Sequence, residues 1–281
     1  MRTLVHAASN AQDTLIVIAT WRTFLQAQYA TATVQHYLSS VMAFFMAHPL
    51  TVSQVTEDHI VEFLQRYSAK PAIRRARYQG LKSFFDWCER RHVVDHNPTT
   101  GLKVPHPEQK VPRGMTKEEI AKVINAAYAR APHRGATLEV LYYTACRVGE
   151  AVTIRWEDIT EDHLVLHGHK SKKERIVDMT PELRKALQTL WDWSGQAGHE
   201  YAIPRSKATV WGWCRAAGKD SGVDRVHPHL FRSSSATIMN EAGASAFAIQ
   251  TALGHSKVQT TMRYIQVRDE DRRAAFESLA L

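Results

Sequence analysis

The sequence predicts a mainly α chain of two domains: an N-terminal helical domain, then an α+β domain with a small antiparallel sheet. Three features carry this prediction. Four stretches in the first hundred residues place apolar side chains at helical spacing. A proline-rich segment, GLKVPHPEQKVPRGM, then interrupts the pattern. Beyond it, DHLVLHGHKSKKERIVDM alternates with period two, as a strand pair does. At 281 residues the chain is long for a single core, and its 44% hydrophobic content is enough to fill two.

Residues 13 to 29 give a first helix, with Leu15, Ile18, Trp21 and Leu25 on one side and Asp13 as its N-cap. Residues 31 to 48 repeat the pattern through Val34, Leu38, Val41, Met42, Phe45 and Met46, and Pro49 ends it. Thr56 caps a shorter helix whose Glu57 and Asp58 suit the positive end of the helix dipole. Residues 70 to 91 form a fourth helix with Phe84, Phe85 and Trp87 turned inward. Between Arg66 and Lys82 the chain carries six basic residues and no acid. Such a run is either a solvated face or, through Arg74, Arg75, Arg77 and Lys82, a surface for phosphates. The first domain is therefore expected over residues 1–103, with 104–115 as an extended linker.

The second domain, 116–268, opens on Thr116 and Glu119, the two ends of a capping box. A helix over 136 to 145 delivers Cys146 and Arg147 to its end. The hairpin comes next, with Leu164, Leu166 and Ile176 as its apolar alternation and Lys170 near its tip. Thr180, Pro181 and Glu182 start the helix ELRKALQTLWDW, and another runs over 206 to 217. A helix begun at Pro228 points His229 and Arg232, three apart, to one face. AFAIQTAL then stops at Gly254, His255 comes directly after it, and Tyr264 lies nine residues further on. Residues 269–281 form a last amphipathic helix, through Ala274, Phe276 and Leu279, expected to dock on a neighbouring protomer.

The formal charge of +8 and a sequence pI near 9.4 point to a polyanionic partner. No apolar run reaches the ~18 to 20 residues of a membrane span, and the first residues lack the apolar core of a secretory signal. No membrane partner and a cytoplasmic location are expected. Cys88, Cys146 and Cys214 are far apart and read as reduced, buried thiols. GWCRAAGKD misses the phosphate-loop pattern in spacing and in its final Asp, so no nucleotide cofactor is expected. His163, His167 and His169 lack the carboxylates or thiols that would complete a zinc site, so no metal is expected either.

Arg147 with Glu150, Lys170, His229 with Arg232, His255 in LGHS, and Tyr264 stand in the order and spacing of one known motif set. The chain resembles the tyrosine recombinase (phage integrase) family over roughly residues 10 to 270, in a short form without the additional arm-type DNA-binding domain. The resemblance implies the family's helical core-binding domain and catalytic fold, closing round double-stranded DNA as a homotetramer on two duplexes. It also implies a covalent 3′-phosphotyrosyl intermediate, with no cofactor. Arg147 and Arg232 suit the non-bridging oxygens, because a guanidinium stays charged and its fork matches phosphate. The bland alternative for Arg147 is a plain ion pair with Glu150; the preferred role of Glu150 is to orient it. Tyr264 is the expected nucleophile, and His229 and His255 would bind oxygens or carry its proton. Lys170 is the expected general acid, with Lys172 and Lys173 as rivals, since His169 and Ser171 replace the glycines that usually flank it. Two further departures are Ala145, often Gly, and Ser233, commonly His.

Overall fold

The computed structural model describes residues 11–105, 114–168, 174–255, 258–262 and 277. These form two compact units, Met1–Gln109 and Lys110–Leu281, and the chain is mostly helical with one two-stranded antiparallel sheet.

The first unit holds helices α1 (Ala11–Gln26), α2 (Thr31–Ala47), α3 (Glu57–Gln65) and α4 (Pro71–Arg90). Its core is aromatic: Trp21 meets the edge of Phe84 at 5.1 Å, and Phe44 meets Phe63 at 5.4 Å. Phe84, Phe85 and Trp87 lie inward as expected. Two details differ from the sequence reading. Helix α1 begins at Ala11, so Asp13 sits in its first turn, still at the positive end of the dipole, and is not its cap. Leu15 is also exposed, with Thr14 buried in its place. In α2 the inward stripe runs through Val34, Val41 and Phe44, leaving Met46 81% exposed. Met46 lies two residues past Phe44, about 200° round the helix, so both cannot face the core.

Helix α4 lies close against α2 because Gly80 faces Ser40: a Cβ at Gly80 would stand 2.5 Å from Ser40 Cβ. Leu102, at the end of the first domain, and Val104, at the start of the expected linker, pack into this core. Residues 106–113 of that linker fall outside the described residues.

The second unit is built round α6 (Pro132–Thr144), which packs against α5 (Lys117–Arg130), α8 (Pro181–Leu190) and α10 (Pro228–Glu241). Between them come the single turn α7 (Val148–Ala151), strands β1 (His163–His167) and β2 (Glu174–Asp178), and α9 (Lys207–Ser221). Helices α11 (Ala246–Leu253) and α12 (Val258–Thr261) complete the described residues, apart from Glu277. The capping box forms: Glu119 N donates to Thr116 Oγ1 at 3.2 Å, and Thr116 N to Glu119 Oε2 at 2.9 Å. Helix α6 opens at Pro132, earlier than residue 136, because proline suits the first helical position. Helix α9 runs on past 217 to Ser221, where Gly222 takes the left-handed conformation. Past Leu190, the segment expected to continue α8 widens into a π turn, Trp191–Gly195. The last helix, 269–281, lies outside the described residues save Glu277.

The hairpin register corrects one expectation. Leu164 pairs with Val177 and Leu166 with Arg175, so Arg175 and Val177 share the core face while Ile176 is 65% exposed. An inward arginine on a short strand needs buried acceptors, and it has them.

The Gly80 contact sets the first prediction. Alanine is the better helix former by ~1 kcal/mol, but forcing its methyl against Ser40 costs ~1–3 kcal/mol. Gly80→Ala should therefore range from neutral to destabilising by ~2 kcal/mol, against the gain that helix propensity alone would give. Hydrogen exchange of α2 and α4 amides in the full chain checks this, and slower exchange in the variant counts against it.

Candidate active site

The site begins where α6 ends. Thr144 closes the helix, Ala145 turns left-handed at φ 48°, and Arg147 becomes the residue before α7. Glycine adopts that backbone freely, whereas alanine there costs about 1 kcal/mol, which is the physical content of the family's preference for Gly at this position. Glu150 lies one turn on. Its buried carboxylate accepts from Arg147 N at 2.9 Å and from Arg147 Nη1 at 2.8 Å, while the arginine side chain itself stays 48% exposed.

Arg232 reaches the same carboxylate from α10. Its side chain is 1% exposed, and Nη1 stands 4.0 Å from Glu150 Oε2. Nη1 donates to Ala145 O at 2.7 Å and Nη2 to Leu253 O at 2.6 Å, so α6 and α11 are both tied to it. The left-handed Gly254 (φ 62°) then turns the chain into His255, whose Nδ1 is 2.8 Å from Thr261 Oγ1. Gln250 Nε2 donates to the His255 carbonyl at 3.0 Å and fixes this turn further. His229 is exposed on the first turn of α10, two residues after the capping His227.

These groups feel one another. Burial alone would raise the pKa of Glu150, but the backbone amide and guanidinium of Arg147, aided by Arg232, reverse this and hold it low. Burial, with the charge of Arg147, pushes Arg232 down to about 10. His255 is pushed down to about 4, first by burial and then by Arg232 and Arg147. His229, although exposed at the surface, is lowered too, partial desolvation against its neighbours leading and Arg232 next. The result is a positive basin with neutral imidazoles beside it. A cleft of about 510 Å³ opens on this basin, bordered by Arg147, Glu150, Gln250, Gly254 and His255.

The structure thus gathers Arg147, Glu150, Arg232, His229 and His255 from three separate segments. Lys170 and Tyr264 lie outside the described residues, as do Lys172 and Lys173. The sequence reading misses one resident of the cleft. Arg175 lines it, with Nη2 3.6 Å from Glu150 Oε2. The signal available is ERIVD itself: with Val177 inward, period two puts Arg175 inward as well. In the hairpin, His167 is held by Asp158 (2.7 Å) and Glu174 (3.3 Å). In the first unit the basic residues are partly engaged. Arg75 donates to Val104 O at 2.6 Å, Arg77 to Ser39 O at 2.7 Å, and Lys82 pairs with Asp86 at 2.8 Å. Arg74 is half-buried, with Nε lacking a hydrogen-bond partner among the described residues.

A model of the phage integrase family matches residues 113–271. Over 262 residues the chain is 26% identical to a tyrosine recombinase of Pseudothermotoga lettingae, covering 88% of this chain and 91% of that protein. Against tyrosine recombinase XerC of Pediococcus pentosaceus it is 27% identical over 274 residues, with the same coverage of 88% and 91%. Among solved structures, a lambda integrase tetramer bound to a Holliday junction has a TM-score of 0.78 at 20% identity, covering 96% of this chain and 80% of that one. XerH recombinase bound to its difH substrate gives 0.75 at 14% identity, covering 97% and 98%.

The charges lead to two expected outcomes. Glu150→Gln removes the carboxylate that Arg147, Arg175 and Arg232 face, and should cost about 3 kcal/mol in denaturant unfolding; a loss under ~1 kcal/mol would show the carboxylate dispensable. For His255 the folded pKa of about 4 lies below the unfolded ~6.5, so the unfolded state binds more protons between them. Its share of stability is complete above pH ~6.5 and erodes as pH falls toward 4. NMR titration of the free protein should find His255 neutral at pH 5.5, and half-protonation near 6.5 would contradict the buried, cation-flanked setting.

Proposed function

The chain belongs to the phage integrase family and is a site-specific recombinase of the tyrosine type; from its site geometry we propose that it cuts and rejoins double-stranded DNA through a 3′-phosphotyrosyl bond on Tyr264. The observation that carries this reading is the convergence of Arg147 and Arg232 on the single carboxylate of Glu150, with His255 and His229 in their field.

A phosphodiester resists attack because its anionic oxygens repel the nucleophile and its alkoxide leaves poorly. Lowering that barrier by ~20 kcal/mol needs several contributions. One positioned donor supplies about 3 to 4 kcal/mol, and positioning about 7 to 11 kcal/mol. In the proposed reaction Arg147 and Arg232 neutralise the non-bridging oxygens. Glu150 orients both. Tyr264 Oη attacks phosphorus, and the proton it sheds passes to His229 or His255, which burial and the cationic field keep neutral. Lys170 gives a proton to the departing 5′-oxygen. The bond broken is P–O5′ and the bond formed is P–Oη, so its energy stays in the phosphotyrosine. The freed 5′-hydroxyl of a partner strand reverses the step, and neither nucleotide nor metal is consumed.

The N-terminal unit serves as the core-type DNA-binding domain, 104–115 as the link, 116–268 as the catalytic domain and 269–281 as a protomer contact. Arg74, Arg75, Arg77 and Lys82 face the phosphates with whatever donors their internal bonds leave over. Four protomers act on two duplexes, as in the lambda integrase tetramer bound to a Holliday junction. The setting is cytoplasmic; among the described residues no helix is long and apolar enough to cross a membrane. The biological use proposed is integration and excision of a phage or mobile element. The likeness to XerC over 88% of this chain favours resolution of joined chromosomes as the second use of the same chemistry.

A nicked suicide duplex, carrying a site selected from a random library, tests this reading. The wild-type chain should yield a protein–DNA adduct on a denaturing gel, and Tyr264→Phe should yield none while still binding. Arg147→Ala and Arg232→Ala should each slow adduct formation ~10²–10³-fold. An adduct that persists in Tyr264→Phe rejects the nucleophile, and failure to exchange strands between two labelled duplexes rejects recombination in favour of simple relaxation.

A further inference from the structure

Arg232 and Arg175 repeat one arrangement from different elements. Arg232, on α10, joins Ala145 O to Leu253 O. Arg175, on β2, gives its Nη1 to Thr144 O at 3.0 Å and to Ala252 O at 2.5 Å. Each guanidinium therefore bridges the same two helix C-termini, those of α6 and α11, one residue apart along each chain. Carbonyls at a helix C-terminus have no partner within the helix, and the dipole there favours a cation. Both ends lead directly into residues of the basin: Arg147 comes three residues after Thr144, and His255 three after Ala252.

The rest of the Arg175 guanidinium is largely buried at the wall of the cleft. Its Nη2 is shielded from solvent, makes no hydrogen bond among the described residues, and faces Glu150 at 3.6 Å. Burial lowers its pKa even with the Glu150 carboxylate beside it. The turn before His255 rests on its stem: a Cβ at Gly254 would stand 3.1 Å from Arg175 Cδ. Nη1 is taken up by the two carbonyls and Nη2 by the approach to Glu150, and the side chain is only 11% exposed where it lines the cleft.

We infer that Arg175 is a positioning residue for strand cleavage: its fork sets the spacing between the Arg147 end and the His255 end without touching DNA. This rests on the recombinase reading of the site. A lysine cannot substitute, because an ammonium is a point charge that lacks the planar fork reaching two carbonyls and a carboxylate together. Misplacing catalytic groups by about 1 Å costs on the order of 10²-fold in rate.

The test compares full-length wild type, Arg175→Lys and Arg175→Gln on the selected suicide duplex. Three quantities are read: thermal unfolding, duplex affinity across a salt series, and the single-turnover rate of adduct formation at saturating protein. In Arg175→Lys the affinity should stay within about twofold and the salt slope should not change, since no phosphate contact is lost. Cleavage should nevertheless fall by ~10²-fold, and Arg175→Gln should fall at least as far. Cleavage at the wild-type rate in folded Arg175→Lys would overturn the inference. So would a loss of affinity with a shallower salt slope, which would mark a DNA contact. Failure of both variants to fold would reduce Arg175 to a structural pin and overturn it as well. An inactive wild type would instead remove the recombinase reading itself, a separable failure.

Discussion

Three guanidiniums sharing one small, largely buried volume repel one another, and the second unit is arranged to make that crowding tolerable. Glu150 supplies the only carboxylate among the described residues that Arg147, Arg175 and Arg232 are seen to face together. It cannot neutralise three cations. The remainder of the compensation comes from carbonyls at the ends of α6 and α11, which bring the negative ends of two helix dipoles to the same place. That requirement explains why both helices end where they do, each in a left-handed residue. Thr144 and Ala145 must turn their carbonyls to the guanidiniums, and Leu253 must do so before Gly254 swings His255 back. Remove the cations and the helix ends lose their partners; remove the helix ends and the cations lose much of their solvation.

The parts of this arrangement that were legible in the sequence are those fixed by short spacing. His229 and Arg232 at three apart, Arg147 and Glu150 at three apart, and a glycine before His255 are local statements, and local backbone geometry keeps them true. Helix existence was equally legible, since apolar periodicity and capping residues such as Thr116 act within a few residues. What could not be read was which of two chemically plausible faces turns inward. In α2 the stripe through Met42 and Met46 is as apolar as the one through Phe44, and only packing against α4 decides between them. In β2 the habit of placing charge outward pointed to Ile176 as the inward residue. The acceptors that reverse this choice, Thr144 O and Ala252 O, are 31 and 77 residues away in sequence. The same distance effect hid the internal bonds of Arg75 and Arg77, whose acceptors at Val104 and Ser39 are remote along the chain.

A preassembled cationic site would also set the timing of the proposed proton transfer. In the free protein, burial and the field of Arg232 and Arg147 hold His255 down to about 4, so the imidazole is a weak base. A phenol near pKa 10 would not give it a proton in that state. A bound phosphodiester brings a negative charge among the same guanidiniums and offsets the field that depresses His255 and His229, while the field still favours phenolate as the oxygen attacks. In the proposed mechanism the imidazole gains basicity as the attacking phenol gains acidity, and both changes depend on the anion being in place. Activation of the nucleophile is thereby coupled to occupancy of the site by its substrate. A nucleophile kept protonated until the phosphate arrives is what differential stabilisation of the transition state requires. In that proposal the depressed histidines have a use, and they follow from burial first and from the neighbouring arginines second.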